Sequence, residues 1–368
     1  MFEPSDLPQA KRVYRVAVAQ WAEPDGVAQD ICEALKDLGH TAIPFLYSDR
    51  IPPDCDVVLT FAPWGRFLPL ARGVGSIPLA SRPTLLHWNL ENPPDIGIPW
   101  PMLKSMAIFR SWVGSLHEAD NSTARALVQR GPLRVIDARM IKYRYLGDYY
   151  QAFRMGWLTS LAETSQMFAE FYTRHGMPTF YVPWGTAPSS YKTLDLDRDI
   201  DVLWMGKRRT KRRSMNIDRV RRELASQGVT MHVVDGVENP LVYGASRTEL
   251  ISRSKISLNV MQVWYDNSFH MRFHMAAGNR SVVVSEHLPP HYPEYTPGVH
   301  YVSAEPKTLS DTIVYYLEHE DERSQVAENA FHLVTTQMTF RASVSKLMDL
   351  ARKVREGDRD HNGPPAAY

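Results

Sequence analysis

One segment, KISLNVMQVWYDNSFHMRFHMAAGNRSVVVS at residues 255–285, constrains the fold of this chain more than any other. It predicts a buried strand, a polar loop, a helix that opens near Arg272, a turn of small residues and a second apolar strand. These elements in this order form one unit of a parallel sheet. Ligands of open parallel sheets bind beyond the carboxyl ends of the strands, where this loop lies. We therefore expect a crevice for a polar, anionic ligand.

The same alternation of strand and helix patterns continues along both halves of the chain. In the first half, apolar runs predict strands at 15–20, 41–46, 56–61, 83–88, 107–112 and 133–136, and helices at 26–38, 119–130 and 158–174. In the second half they predict strands at 200–205, 230–234, 256–260 and 282–284, and helices at 216–227, 247–254, 309–318, 322–335 and 341–356.

Strands separated by helices of this length favour parallel sheets with helices on both faces. The chain of 368 residues suits two domains better than one core. We expect two doubly wound, Rossmann-like α/β domains with a cleft between them. The first would span residues 1–180 and the second 181–345, with a terminal helix at 346–358 returning to the first domain and a disordered tail at 359–368.

Composition excludes several classes of function. Lys and Arg total 42 against 41 Asp and Glu, so global charge predicts no affinity for nucleic acid or anionic membranes, and such a partner would need a local patch. The two cysteines, Cys32 and Cys55, form no metal or disulfide pattern, and no apolar run is long enough to span a membrane. We expect a cytoplasmic protein. The motifs GxSxG and GxGxxG are absent, so a nucleophilic hydrolase and a nicotinamide enzyme are not predicted.

Three stretches of the second half carry a family resemblance: DIDVLWMGKRRTKRR, RTELISRSKISLNV and RFHMAAGNRSVVVS. Together they resemble the carboxyl-terminal domain of GT-B glycosyltransferases, of the group 1 type and its spore-maturation-protein branch. The resemblance implies transfer of a sugar from a nucleoside diphosphate sugar to an acceptor, with retention of configuration and with no metal or other cofactor. HWNLENPPD, at residues 87–95, resembles the loop of the first domain that faces the cleft.

The resemblance also implies the residues of the site. Gly206 takes the place of the glycine at the diphosphate turn, Asp266 and His274 stand where the family has two glutamates, and Asn279 replaces a glycine. Catalysis is expected from Glu91 on the acceptor side, with Arg272 and Asp266 on the donor side. The expected donor-binding residues are Gly206, Lys207, Arg208, Arg212, Arg213, Gln262, Asn267, His270, His274, Gly278 and Asn279.

Several alternatives remain open at this level. The run KRRTKRR could be a solvated helix start or a contact for a nucleic-acid acceptor rather than a diphosphate site. His270 and His274 share a helix face and could bind a metal, although the HExxH context is missing. An unperturbed His274 would make donor affinity change between about pH 5.5 and 7.5. The histidine at a usual glutamate position also allows a nucleotide-sugar or polyanion binding protein without catalysis.

Overall fold

The computed structural model describes residues 12–22, 25–61, 67–118, 140–191 and 196–360, together with residues 123, 126, 128, 133–135 and 194. These residues form two α/β domains, each built on a parallel sheet. Successive residues of the first strand alternate between two cores: Val16 and Val18 face one, whereas Ala17 and Ala19 face the other. Helices therefore cover both faces of this sheet, as its apolar pattern predicts.

The first sheet has six strands in the order β2-β1-β3-β4-β5-β6. Its strands are β1 (Arg15–Gln20), β2 (Thr41–Leu46), β3 (Val57–Phe61), β4 (Thr84–Asn89), β5 (Ser160–Glu163) and β6 (Thr179–Tyr181). The helices of this domain are α1 (Gly26–Asp37), α2 (Phe67–Gly75), α3 (Trp100–Glu118), α4 (Ile141–Arg154) and α5 (Gln166–Arg174). The carboxyl ends of the strands face the second domain, because the loops after β4 and β5 contact it directly.

The second sheet has five strands in the order β11-β10-β9-β7-β8. Its strands are β7 (Ile200–Met205), β8 (Met231–Val234), β9 (Ser254–Asn259), β10 (Val282–Glu286) and β11 (Val302–Ala304). The helices that follow the linker are α6 (Lys211–Ser226), α7 (Gly244–Ser252), α8 (Phe269–Gly278), α9 (Leu309–Glu318), α10 (Glu320–His332) and α11 (Phe340–Asp360).

The chain crosses between the domains twice, and the two crossings lie side by side. Thr186, in the outgoing crossing, forms a parallel bridge with Thr339 in the returning one. The amide of Thr186 donates to the carbonyl of Met338 at 2.8 Å, and the amide of Phe340 donates to the carbonyl of Thr186 at 3.0 Å. Helix α11 then packs in the core of the first domain through Phe340 and Val344, among other residues.

Three elements differ from the sequence-based expectation. Residues 107–112, predicted as a strand, lie inside α3, because the apolar run AIFRSW also fits a helix that buries Ala107 and Arg110. Residues 158–174, predicted as one helix, divide into β5 and α5, and the hydroxyl of Ser165 caps α5 by accepting from the amide of Phe168. Residues 133–135, predicted as part of a strand at 133–136, form a turn and the start of a helical segment instead. Most of the predicted helix at 119–130, and all of the tail after residue 360, lie outside the described residues.

Helices α3 and α4 pack antiparallel at close range. The Cα of Gly147 lies so near α3 that a Cβ there would be 2.1 Å from the carbonyl oxygen of Ala107. A Cβ on Gly114 would likewise be 2.6 Å from the guanidinium of Arg144. The pair matters for function, since the first turn of α4 reaches the boundary between the domains.

We expect Gly147→Ala to lower the free energy of unfolding by about 1–3 kcal/mol, because the added methyl group would overlap the backbone of α3. Chemical denaturation measures this change. Gly26→Ala is the matched control, since nothing lies within 4 Å of a Cβ at that position. Equal stability of the two variants would contradict the close packing of α3 against α4.

Candidate functional site

A cavity of about 300 Å³ opens at the carboxyl ends of β7, β8 and β9. Most of its wall is apolar, and its polar lining residues are Lys207, Tyr243, Arg247, Ser257, Asn259, Ser268 and Arg272. At one side Asn259, Ser268 and Arg272 lie together next to Gly206. The apolar residues are Leu203, Met205, Val234, Leu241, Val242, Met271, Met275 and Val283. An apolar wall with a few convergent polar groups is the usual form of a small-ligand site.

Gly206 and Arg272 meet at the polar side of this cavity. Gly206 has a φ of +140°, and a Cβ there would lie 3.0 Å from a terminal nitrogen of Arg272. The other terminal nitrogen, Nη1, donates to Oδ1 of Asn259 at 3.0 Å and faces Oγ of Ser268 at 3.4 Å. Glycine is therefore required by both the backbone conformation and the close approach. The arrangement presents a cation beside an open backbone turn, which suits a phosphate group.

A second cavity of about 780 Å³ continues from the first toward the other domain. The two share Tyr243, Arg247, Met271 and Met275. The first domain contributes residues from the early turns of α1 to its wall, and the linker contributes residues 184–186, 189 and 190. Together the cavities form one cleft between the domains.

Asp266 lies in the loop between β9 and α8 and forms a buried ion pair with Arg213. Their side chains are each 1% exposed and approach to 2.9 Å. The carboxylate also accepts from the amides of Gln262 at 2.7 Å and Ser268 at 3.0 Å. Burial alone would raise the pKa of Asp266, but these amides and Arg213 outweigh burial and hold the pKa below its ordinary value. Asp266 is thus an ionised, structural carboxylate within the predicted donor loop.

Glu91 lies where the two domains meet, near two cations from opposite sides. Burial raises the pKa of Glu91, while Lys142 from α4 and Arg209 from the loop after β7 oppose that rise. Burial lowers the pKa of Lys142, while the negative charges of Asp266 and Glu91 oppose that decrease. The ammonium of Lys142 also lies 5.8 Å from the centre of the Tyr265 ring. Residues of both domains therefore share one electrostatic environment.

Arg209 has a φ of +46°, a left-handed conformation that is unusual for a residue with a side chain. Such strain is retained where surrounding contacts impose it, and it occurs often at ligand sites. Lys142 and Arg209 have no carboxylate oxygen within 4 Å among the residues that the structure describes. Both cations are thus available to an anionic ligand.

The basic run 207–213 does not form one open patch. Arg208 pairs with Asp218 at 2.5 Å and with Asp235 at 2.9 Å. Arg212 pairs with Glu286 at 2.8 Å. Arg213 is buried against Asp266, so it does not belong to a solvated helix start, which was one of the readings that the sequence allowed. Three of the six positive charges of the run are therefore paired with carboxylates, and Lys207 lines the cavity. This arrangement does not favour the alternative of a dense cationic surface for nucleic acid.

His270 and His274 are buried and face tyrosines. His270 Nδ1 is 3.0 Å from the hydroxyl of Tyr292, and His274 Nε2 is 2.7 Å from that of Tyr295. His274 Nδ1 bonds to the hydroxyl of Thr186. Burial lowers the pKa of His270 to about 3 and that of His274 well below its ordinary value. The expected titration of His274 near neutral pH is therefore wrong, because both rings stay neutral. The described part of the chain holds no group of three or more His, Cys, Asp or Glu that could bind a metal.

The remaining predicted donor residues serve contacts within the protein. Asn267 donates to Oγ1 of Thr164 at 3.1 Å and so joins the domains. Asn279 donates to the carbonyls of Met275 at 2.8 Å and Ser190 at 3.3 Å. Gly278 lies against Tyr191, because a Cβ added to Gly278 would be 3.0 Å from the Cβ of Tyr191. The structure thus brings Gly206, Lys207 and Arg272 to the cavity, with Glu91 and Asp266 near the domain boundary. It places Arg208, Arg212, Arg213, Gln262, Asn267, His270, His274, Gly278 and Asn279 outside the lining of the 300 Å³ cavity. Of these residues, His274 lines the second cavity of the cleft.

A buried polar network supports the loop that carries Glu91. Nδ2 of Asn89 donates to Glu163 at 2.6 Å and to the carbonyl of Glu91 at 3.0 Å. Oδ1 of Asn89 accepts from the hydroxyl of Tyr149 at 2.9 Å and from the amide of Glu91 at 3.2 Å. Next along the loop, Oδ1 of Asn92 accepts from the amide of Asn267 in the other domain at 2.7 Å. Glu163, at the end of β5, is therefore a positioning residue that sequence analysis missed.

Two groups of known proteins resemble the chain. Residues 212–349 match a protein family described as glycosyl transferase-like. One solved structure is HepE of Anabaena in complex with UDP and glucose. The match covers 92% of this chain and 100% of the HepE chain at 13% identity, with a TM-score of 0.57. Sucrose-phosphate synthase of Thermosynechococcus elongatus matches 94% and 100% at 11% identity, also with a TM-score of 0.57. No curated protein sequence matches significantly.

The shared architecture confirms the predicted GT-B fold of two parallel-sheet α/β domains. The family match supports the prediction of a glycosyltransferase, and it covers the segment from α6 to α11 that contains Asp266 and Arg272. The spore-maturation-protein branch stays a prediction. None of the described helices is long and apolar enough to cross a membrane.

We expect Arg213→Ala to lower the free energy of unfolding by about 3–5 kcal/mol, since it leaves the Asp266 carboxylate buried without its cation. Urea denaturation at neutral pH measures this loss. Lys211→Ala is the control, because Lys211 is exposed in the first turn of α6 and should change stability by less than about 0.5 kcal/mol. A fully stable Arg213→Ala protein would mean that the pair contributes nothing to the folded state.

The buried carboxyl group of Glu163 should make the free energy of unfolding depend on pH. Burial raises its pKa from 4.5 to about 8, against the hydrogen bond from Asn89. Between these values the unfolded chain is ionised while the folded chain keeps its proton, so stability should fall as pH rises from about 4.5 to about 8. Glu163→Gln should remove this slope, as seen from unfolding free energies measured in urea at several pH values. Parallel pH profiles for the two proteins would contradict the raised pKa.

Proposed function

We propose that this protein transfers a glycosyl unit from a nucleoside diphosphate sugar, bound by the second domain, to an acceptor held by the first. The observation that carries the proposal is the meeting of Gly206 and Arg272 at the edge of the apolar cavity. A nucleoside can bury its base and ribose against the apolar wall, while its diphosphate lies at the turn and the guanidinium. HepE, which shares the fold, was solved with UDP and glucose, and this supports a uridine nucleotide among the candidates.

The cations at the domain boundary fit the chemistry of the transfer. Negative charge develops on the leaving diphosphate as the glycosidic bond breaks, and fixed positive groups stabilise it. Arg272 and Lys207 line the cavity from the second domain, whereas Lys142 approaches the boundary from the first. Lys142 was not predicted from the sequence. We propose that it contacts the ligand only when both domains surround it, which excludes water from the reacting centre.

Glu91 is proposed to orient the acceptor hydroxyl. It belongs to the first domain and lies beside Lys142 and Arg209 at the boundary. We propose transfer with retention of configuration and without a metal, in which a phosphate oxygen of the donor takes the acceptor proton. The anomeric configuration of the product, determined by NMR, tests the first point. Unchanged transfer in the presence of a chelator tests the second.

The two domains should separate donor binding from transfer. We expect Arg272→Gln to raise the dissociation constant of a nucleoside diphosphate about 10- to 100-fold, because it removes charge-assisted hydrogen bonds that contribute roughly 1.5–3 kcal/mol. Glu91→Gln should leave that constant unchanged and lower kcat for transfer. Calorimetric titration with UDP and other nucleoside diphosphates measures the first effect, and transfer to a panel of acceptors measures the second.

Arg222→Gln is the control for loss of a positive charge, since Arg222 is exposed on α6 and does not line the cavity. If no nucleoside diphosphate binds the wild-type protein, the donor assignment fails. Binding without transfer to any acceptor would instead favour a nucleotide-sugar binding protein. A steep loss of acceptor binding with rising salt concentration would favour a nucleic-acid acceptor.

A further inference from the structure

Arg247, in the first turn of α7, lies where the two cavities of the cleft join. It lines both of them, and its side chain is partly buried. Among the residues that the structure describes, its guanidinium forms neither an ion pair nor a hydrogen bond. Burial lowers the pKa of Arg247, and Tyr243 opposes that decrease. Because it is costly to remove a cation from water without a partner, we expect a ligand to supply the missing acceptor.

Three methionines line the first cavity together with Arg247. They are Met205, at the end of β7, and Met271 and Met275, on α8. The thioether sulfur is polarisable and makes favourable contacts with aromatic rings, and the flexible methionine side chain adapts to rings of different size. A sugar ring here would turn its hydroxyl groups toward apolar side chains, which is unfavourable. This wall therefore suits a flat aromatic group.

Helix α8 fixes the order in which ligand groups follow one another along the cleft. Arg272 lies beside Gly206 at the polar side of the first cavity. Met275 is about 4.5 Å further along the helix axis, at a rise of 1.5 Å per residue. It belongs to the apolar cluster that includes Val242 and Leu250, which flank Arg247 in the chain. A ligand with its diphosphate at Gly206 and Arg272 therefore extends its nucleoside toward Arg247.

We propose that Arg247 selects the base of the donor and favours uracil or guanine, which carry an oxo group on the edge far from the ribose. The inference rests on the proposed donor site. A guanidinium has N–H donors and no acceptor. The O4 atom of uracil accepts from such donors, as do O6 and N7 of guanine. Cytosine and adenine carry an amino group at the same position, and two donors that face each other stay unpaired.

A phosphate group is the other ligand group that could pair with Arg247. The polar side of the cavity already offers a phosphate group the open turn at Gly206 and the guanidinium of Arg272. Phosphate oxygens need polar partners on several sides, whereas the wall that leads to Arg247 is formed by methionines and other apolar residues. The lining of the cavity thus favours the base over a phosphate at this position.

Calorimetric titration of the full chain with UDP, GDP, CDP and ADP tests the inference. The wild type should bind UDP and GDP about tenfold more tightly than CDP and ADP, because only the first two give the guanidinium a charge-assisted hydrogen bond. Arg247→Met keeps an unbranched apolar side chain and removes the N–H donors. It should weaken binding of UDP and GDP about 10- to 100-fold, and it should change binding of CDP, ADP and pyrophosphate by less than about threefold.

Two further variants separate the base edge from charge and from the wall. Arg222→Met removes an exposed guanidinium on α6 that lines neither cavity, so it should bind all four nucleotides as the wild type does. Met275→Leu changes the wall and leaves Arg247 in place, so it should weaken all four by a similar factor and keep the preference for UDP and GDP. Thermal melting should show each variant folded.

The inference is overturned if the wild type binds the four nucleotides alike. It is also overturned if Arg247→Met weakens all four and pyrophosphate by the same factor, since this result would place a phosphate at Arg247. Loss of the preference in Met275→Leu would assign base selection to the wall instead. If none of the four binds, the proposed donor site itself fails, and the inference fails with it.

Discussion

The ion pair between Arg213 and Asp266 determines how the predicted donor loop is built. Two amides of the loop donate to the carboxylate, and Nε of Arg213 donates to the carbonyl of Val260 at 2.8 Å. The loop is thereby closed on itself just before α8, which places Arg272 beside Gly206. Asn92 of the first domain also donates to this carboxylate, at 3.3 Å. One buried charge thus organises the cavity edge and the contact between the domains. Replacing both partners of such a pair by well-packed apolar residues often changes stability little, because desolvation offsets attraction, whereas removing one partner leaves a buried charge without compensation.

The sequence predicts the sheets better than the helices around them. Residues 15–20, 41–46 and 200–205 are strands in the structure at the predicted positions, because short β-branched runs bounded by turn residues have few alternatives. Residues 107–112 were misassigned because a short apolar run fits a strand and a buried helix equally well. Only the packing of α3 on α4, which depends on Gly147 about 40 residues later, decides between them.

The site was predictable in outline and not in detail. Gly206 and Arg272 could be found, because a glycine after a buried strand and an arginine at a helix start have a local signature. The pairing of the basic run could not, since Asp218, Asp235, Asp266 and Glu286 lie 10 to 74 residues from their partners. Lys142 had no signature at all, because a single lysine in the first turn of a helix is common. His274 shows the same limit: its sequence position suggested a titrating ligand, but burial keeps it neutral.

The double crossing between the domains has a consequence for synthesis of the chain. Val16, Val18, Ile31 and Leu35 belong to the core that the last helix completes through Val344, Leu347 and Ala351. The ribosome produces residues 12–182 long before that helix exists, so one apolar face of the first domain stays uncovered while the whole second domain is made. Domains usually fold as units in order from the amino terminus, but the first domain of this chain cannot complete its core before the second domain has been made. The second domain is thus topologically an insertion within the first, and the first domain exposes an apolar face until the last helix is made.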